Sequence, residues 1–218
     1  MLISEKYVAI TQIFFVPPKK GIRGQRTVDW RLVDEAVSSS KFEERVQEKV
    51  QEMAATLSRS DIQGYSLSNL EIESDDNSFR MSLIVVDIDR VNLNATITPK
   101  GADGNAPTST EEVAELNARW YMLDLVRQLD EAILHLCFNE PEIGTIIFKT
   151  TGDSDKVKAH DDFMNANADN NWLVNEVRLY WKRTLKCIDL TFRTLLAFVE
   201  SGSCFTGVLA EFLLTLSN

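Results

Sequence analysis

Histidine is the side chain best suited to moving protons near neutral pH, and this sequence has two, His135 and His160. His135 lies two residues before Cys137, a spacing that does not share a helix face. No second Cys/His pair stands at zinc spacing. A metal site is therefore not expected, and His135 reads as a core or boundary residue. The three cysteines, Cys137, Cys187 and Cys204, are odd in number, form no CxxC pair and sit in apolar stretches. They read as buried free thiols of a reducing compartment rather than as a disulfide framework. No GxSxG elbow, GxGxxG turn or GxxxxGK[ST] loop occurs. These motifs predict no catalytic residue and no cofactor.

Carboxylates remain. Leu83 to Asp89 reads LIVVDID, an apolar run ending in two acids. Thr151-Gly152-Asp153-Ser154-Asp155 and His160-Asp161-Asp162 follow, with Lys149 and Lys156 nearby. A strand ending in two carboxylates, with distant acids and a lysine, can hold Mg²⁺ for phosphoryl transfer. This set resembles the motifs of haloacid-dehalogenase-type phosphatases. Val91 fits the fifth place of the first motif, whereas Arg90 stands where glycine is usual, and the intervening βα units are missing. The resemblance implies a Mg²⁺-dependent phosphohydrolase in which Asp87 is essential. The other reading of Asp87-Ile88-Asp89-Arg90 is a simple turn.

The cations are unevenly spread. Net charge is −10, made of +4 over residues 1–32, −15 over 33–169 and +1 over 170–218. The acidic middle repels nucleic acid, so any such contact needs a local patch. One patch is Lys19, Lys20, Arg23 and Arg26 beside two glycines, followed by Trp30. The other is Arg178, Lys182 and Lys186 at i, i+4, i+8, with Arg183 beside them and Arg193 continuing that side. Together they could bind an anionic partner. A solvated loop and an ordinary polar helix face account for the same residues. Tryptophan anchors are enriched at binding hot spots, which singles out Trp30 and Trp172; Trp120 and Trp181 lie on apolar stripes and read as core.

The elements that must position these residues are read from periodicity. Tyr7 to Val16 reads as a strand and Val28 to Val37 as a short helix. Phe42, Val46, Val50, Met53 and Leu57 mark an amphipathic helix. Tyr65–Glu73, Phe79–Ile88 and Val91–Ile97 read as strands, and their short connections predict an antiparallel meander. Ser109 and Glu112 form a capping box. It opens a long helix with the stripe Val113, Leu116, Trp120, Leu123, Val126, Leu129, Ile133 and Leu136. Gly144–Thr150 adds a strand. Residues 151–171 read as a polar linker or mobile loop, 172–199 as a helix, and 205–216 as a last apolar helix.

The expected fold is α+β: a small antiparallel sheet of four to five strands packed with long amphipathic helices. Residues 1–150 form an α+β domain, 151–171 a linker, and 172–218 C-terminal helices packed on the same domain. No secretory leader is read at the N-terminus, and the C-terminal apolar run is too interrupted to span a membrane. A cytoplasmic or otherwise intracellular location follows. With catalytic motifs lacking, the sequence points to a non-catalytic interaction or assembly protein, self-associating or binding a protein partner. The apolar tail residues Phe205, Val208, Leu209, Phe212 and Leu213 are its expected oligomer interface. The alternatives are a nucleic-acid binder using the 19–26 loop and the Mg²⁺ phosphohydrolase.

Overall fold

The computed structural model describes residues 23–56 and 64–215. The expected strand at 7–16 and the cations Lys19 and Lys20 lie outside the described residues. The chain divides into two compact units, 1–63 and 64–218.

In the first unit, α1 (Gln25–Asp29) is followed by a 3₁₀ turn at Ser39–Lys41 and by α2 (Phe42–Thr56). The amphipathic spacing is borne out as a helix, yet Phe42, Val46, Val50 and Met53 are all exposed. Arg45 reaches back to Glu35 through two bonds of 2.7 Å. That pairing holds the Glu35 carboxyl below its ordinary range.

The second unit holds a six-stranded sheet in sequential order. The strands are β1 (Glu73–Ser74), β2 (Ser78–Arg80), β3 (Ile84–Asp89), β4 (Asn94–Pro99), β5 (Thr145–Phe148) and β6 (Thr194–Ala197). β1 to β4 form an antiparallel meander as expected, but of the expected strand Tyr65–Glu73 only Glu73 belongs to one. β4, β5 and β6 are parallel, so the sheet is mixed. Parallel neighbours require long crossovers, and the intervening helices supply them. α3 (Thr110–Leu116) and α4 (Tyr121–Asn139) join β4 to β5; α5 (Ser154–Asn167) and α6 (Trp172–Asp189) join β5 to β6. A 3₁₀ turn at Gly207–Leu209 and α7 (Glu211–Thr215) follow.

Alternation along the strands buries one face of the sheet. Ile84, Val86 and Ile88 of β3, Ala95 and Ile97 of β4, and Ile146 and Phe148 of β5 all point into the core. The helix stripe meets them: Trp120, Leu125, Leu129 and Leu136 are wholly buried. Trp181 is buried too, and its indole N–H donates to the Met122 carbonyl at 2.9 Å.

Four local expectations are corrected. Phe79–Ile88 is two strands, because Met81–Leu83 turns back, with the Met81 N–H donating to the Ile84 carbonyl. The long helix is broken at Asn117, whose φ of 51° leaves the αR region, and it resumes at Tyr121. The expected linker contains α5, capped by Asp153, whose carboxylate accepts from the N–H groups of Asp155 and Lys156. The expected helix to Val199 stops at Asp189, and Thr194–Ala197 is a strand. The β5 ladder there overrides a spacing that happened to continue the helical period.

Among the described residues, no helix is long and apolar enough to cross a membrane.

Candidate active site at the exit end of the parallel strands

In open α/β sheets, sites form at the carboxyl ends of parallel strands, where loops diverge from a rigid ladder. Here the loops after β4 (100–104), β5 (149–153) and β6 (198–207) meet at one rim. Backbone bonds tie them together. Gly101 N–H donates to the Thr151 carbonyl at 2.7 Å, and Gly152 N–H to the Gly202 carbonyl at 3.2 Å. Cys204 N–H donates to the buried Thr150 hydroxyl at 2.9 Å.

Glycine is required where backbones touch. Gly152 has φ 137°, and a Cβ there would lie 2.9 Å from the Gly101 nitrogen and Cα. Gly207, with φ 51°, packs against Asp161 so closely that a Cβ would sit 2.7 Å from the Asp161 Cβ. Burial, then the nearby Asp162 and Glu211 charges, push the Asp161 carboxyl upward, against the pull of the Val208 backbone N–H.

Polar groups gather at the same rim. The Tyr121 hydroxyl donates to the Lys100 carbonyl at 3.1 Å, and burial raises its pKa. The Lys100 ammonium donates to the Asp103 carboxylate at 2.7 Å, which holds that acid low. Lys156 donates to the Asp103 carbonyl at 2.6 Å. His160 on α5 is 4% exposed, with its ring 5.0 Å from that of Tyr121. Neither imidazole nitrogen makes a well-formed hydrogen bond among the described residues, although the Gly104 backbone lies close enough to favour the charged ring. Burial lowers its pKa, opposed only by the Gly104 backbone, so the ring is held neutral. Burial likewise raises the Cys204 thiol, which makes it a poor nucleophile. The rim thus offers a neutral imidazole, a phenol, a carboxylate and two ammonium groups around strained glycine backbone. That combination suits proton transfer beside a polarised carbonyl.

The residues singled out from sequence are scattered. Arg23 is exposed in the first unit, where Arg26 lies 4.8 Å over the Trp30 ring. Arg178, Lys182 and Lys186 do share one face of α6 and line a groove of about 620 Å³. Arg183 faces elsewhere: it donates to the buried Asp130 carboxylate at 2.8 Å, beside the Tyr180 hydroxyl at 3.0 Å. Trp172 is 41% exposed and, with Tyr65, flanks a mostly apolar groove of about 600 Å³. Arg193 is buried and belongs to no anion-binding face.

Val208, Leu209 and Phe212 are buried in the chain's own core. Phe212 stacks on Phe148 at 4.8 Å. Phe205 and Leu213 are half-buried. Cys204 is buried as expected, but Cys137 and Cys187 are exposed.

The phosphatase-like acids do not converge. Asp87 faces Arg80 at 3.6 Å, and Asp89 accepts from the N–H groups of Val91 and Asn92, which is the turn reading. No cluster of metal-ligating side chains exists among the described residues. Sequence reasoning missed Tyr121, Thr150 and Gly101 as rim residues, and placed His160 and Gly152 only in the phosphatase-like runs. The signals were the glycines in KGADG and TTGD, each closing a strand-like run.

No family model matches the chain. Over 198 residues, 90% of its length, the chain is 34% identical to the benzoyl-CoA-dihydrodiol lyase of Aromatoleum evansii. The chain spans 36% of that relative. Likeness of this extent to an enzyme overturns the expectation of a non-catalytic adaptor or assembly protein, which rested on missing motifs: a chain can share an enzyme's sequence without any of the short signatures sought.

Proposed function

We propose that this chain contributes to a lyase acting on a coenzyme A thioester of a dihydroxylated ring. The observation that carries the reading is the 34% identity to benzoyl-CoA-dihydrodiol lyase over 90% of the chain. The exit rim supports it chemically. A lyase cleaves a bond by moving protons and electron pairs within the substrate, and a thioester carbonyl can accept the developing charge. Such chemistry needs neutral bases and acids beside a rigid carbonyl-binding surface, not a nucleophilic serine or a metal-ligand cluster. In this reading the thioester end lies across the 100–104 and 149–153 loops. His160 is in the neutral form that accepts a proton, and Lys100 and Lys156 set the local field.

The test is direct. The full chain is incubated with the dihydrodiol of benzoyl-CoA, and loss of substrate is followed by chromatography with mass detection. Calorimetry measures binding of the same thioester and of benzoyl-CoA in parallel. Saturable binding or turnover is expected. If neither thioester binds and neither is consumed at millimolar concentration, the proposal fails.

A further inference from the structure

We infer that the groove between α6 and residues 64–67 is a binding site for a small hydrophobic ammonium, its cationic head against Trp172 and Glu176 and its apolar body along Leu67 and Leu179. The groove shares no lining residue with the exit rim, and the inference does not rest on the thioester reading. A volume of about 600 Å³ lies within the range of small-molecule sites.

One wall is the α6 stripe Trp172, Glu176, Leu179 and Arg183, at i, i+4, i+7 and i+11, a spacing that one helix face presents together. The other wall is Tyr65 and Leu67. Leu67, Trp172 and Leu179 are each between 41% and 48% exposed. Large apolar side chains left open together in a concave place mark a ligand groove. Leu123, Leu173 and Val177 are buried beneath them. The rings of Tyr65 and Trp172 lie 5.7 Å apart at 33°. One end of the groove is therefore aromatic, and the face of an aromatic ring attracts a cation.

The sign of the charge comes from Glu176. It is exposed and has no ion pair or hydrogen bond among the described residues. The positions one turn away on α6 are Trp172, Leu173, Leu179 and Tyr180, so no helix neighbour can neutralise it. Arg178 and Lys182 line the other groove of α6, where Arg178 is bonded to Asp169 and Asn175. The groove's own cation, Arg183, lies two turns from Glu176. It is engaged with Asp130 at 2.8 Å and stacks 4.6 Å over the Tyr180 ring. The Arg183–Asp130 pair is neutral as a unit. An anion entering here meets an unpaired carboxylate and a guanidinium already committed. A cation meets that carboxylate beside aromatic faces, and the net charge of −10 draws it toward the surface at long range. A neutral apolar ligand uses the walls and leaves Glu176 without a role. An ammonium with an apolar body uses both.

The experiment is calorimetric titration of the full chain with benzyltrimethylammonium, benzyl alcohol, benzoate and Nα-acetyl-lysine methylamide, in wild type, Glu176→Gln and Trp172→Leu. Both side chains reach solvent, and circular dichroism checks that each variant is folded. Benzyltrimethylammonium should bind wild type about tenfold tighter than benzyl alcohol, since it adds the ion pair and the cation–π contact. Glu176→Gln should remove most of that advantage and leave benzyl alcohol unchanged, whereas Trp172→Leu should weaken both. Unchanged ammonium affinity in Glu176→Gln overturns the assignment of the head. Benzoate binding as tightly as the ammonium overturns the sign of the charge. Tighter binding of the lysine amide assigns the groove to a protein side chain and overturns the small-molecule occupant. Failure of wild type to bind the ammonium at millimolar concentration overturns the site.

Discussion

Arg193 and His160 are both titratable and both buried, at 5% and 4% exposure, yet they lie at opposite ends of the same parallel strands and are treated oppositely. At the entry end, Arg193 is extensively paired. Its guanidinium donates to the carbonyls of Ile143 at 2.7 Å, Leu136 at 2.7 Å and Glu140 at 2.9 Å. Two of these carbonyls lie at the C-terminus of α4, where the helix dipole favours a cation. At the exit end, neither His160 nitrogen makes a well-formed hydrogen bond among the described residues. Burying polar groups unpaired destabilises a fold, so the two ends differ in purpose. One closes the architecture and the other keeps unmet hydrogen-bonding capacity where the loops converge.

The largest expected effect is at the closed end. Arg193→Leu removes the guanidinium from three carbonyls; those of Leu136 and Glu140 keep a backbone N–H from Glu140 and Ile143, while the Ile143 carbonyl loses its Arg193 donor, and an unmet buried acceptor costs about 1–3 kcal/mol. The loss of stability should be about 2–4 kcal/mol, read as a lower urea midpoint at unchanged slope. Arg193→Lys should recover only part, because an ammonium cannot reproduce the planar fork. An unchanged midpoint in Arg193→Leu would show that the clamp contributes nothing.

Glycines sharpen the same contrast. Gly144 at the entry end has open space where a Cβ would stand, whereas Gly152 at the exit end meets Gly101 backbone at 2.9 Å with φ 137°. Gly144→Ala should change stability by within about 0.5 kcal/mol. Gly152→Ala combines a left-handed φ with a backbone clash and should cost about 1–3 kcal/mol. It should also weaken thioester binding, because the 149–153 loop must move. Equal effects at the two positions would mean that the exit rim is no more constrained than the entry end.

Much of this arrangement was legible from residue spacing alone. The stripe from Val113 to Leu136 runs through α3 and α4, interrupted at Asn117, and its Trp120 and Leu129 are fully buried. The β1–β4 meander followed from short connections. What could not be read locally depends on partners distant in sequence. Strand β6 is a strand because β5 offers it a ladder, Ile146 beside Leu195, about 50 residues away. Arg193 looked like one more cation on a helix face; its real partners are carbonyls 50 to 57 residues earlier. The rim escaped for the same reason. Gly101, Thr150, His160 and Cys204 belong to four separate segments and match no short motif. Of the expected basic stripe, Arg178, Lys182 and Lys186 share one face of α6, whereas Arg183 turns to Asp130 and Arg193 lies beyond the helix.

The smallest and most specific effect concerns His160. Its pKa in the folded chain lies below the ordinary value of 6.5 because burial disfavours the charged ring. As pH falls below about 6.5, unfolded chains bind a proton that folded chains refuse. Stability should therefore decline from this group alone, by at most about 1.4 kcal/mol per pH unit. The decline stops once pH reaches the depressed folded pKa. Nearby carboxylates add their own acid dependence, so the readout is the difference between wild type and His160→Phe. That variant removes both orphan nitrogens and should be no less stable than wild type at pH 7. It should also lose stability more slowly between pH 6.5 and 5. If the ring serves only packing, binding of the thioester survives the change; if it accepts a proton in the reaction, turnover falls while binding stays. Parallel pH curves for the two proteins would mean that a partner meets the imidazole in solution, and the contrast with Arg193 would then dissolve.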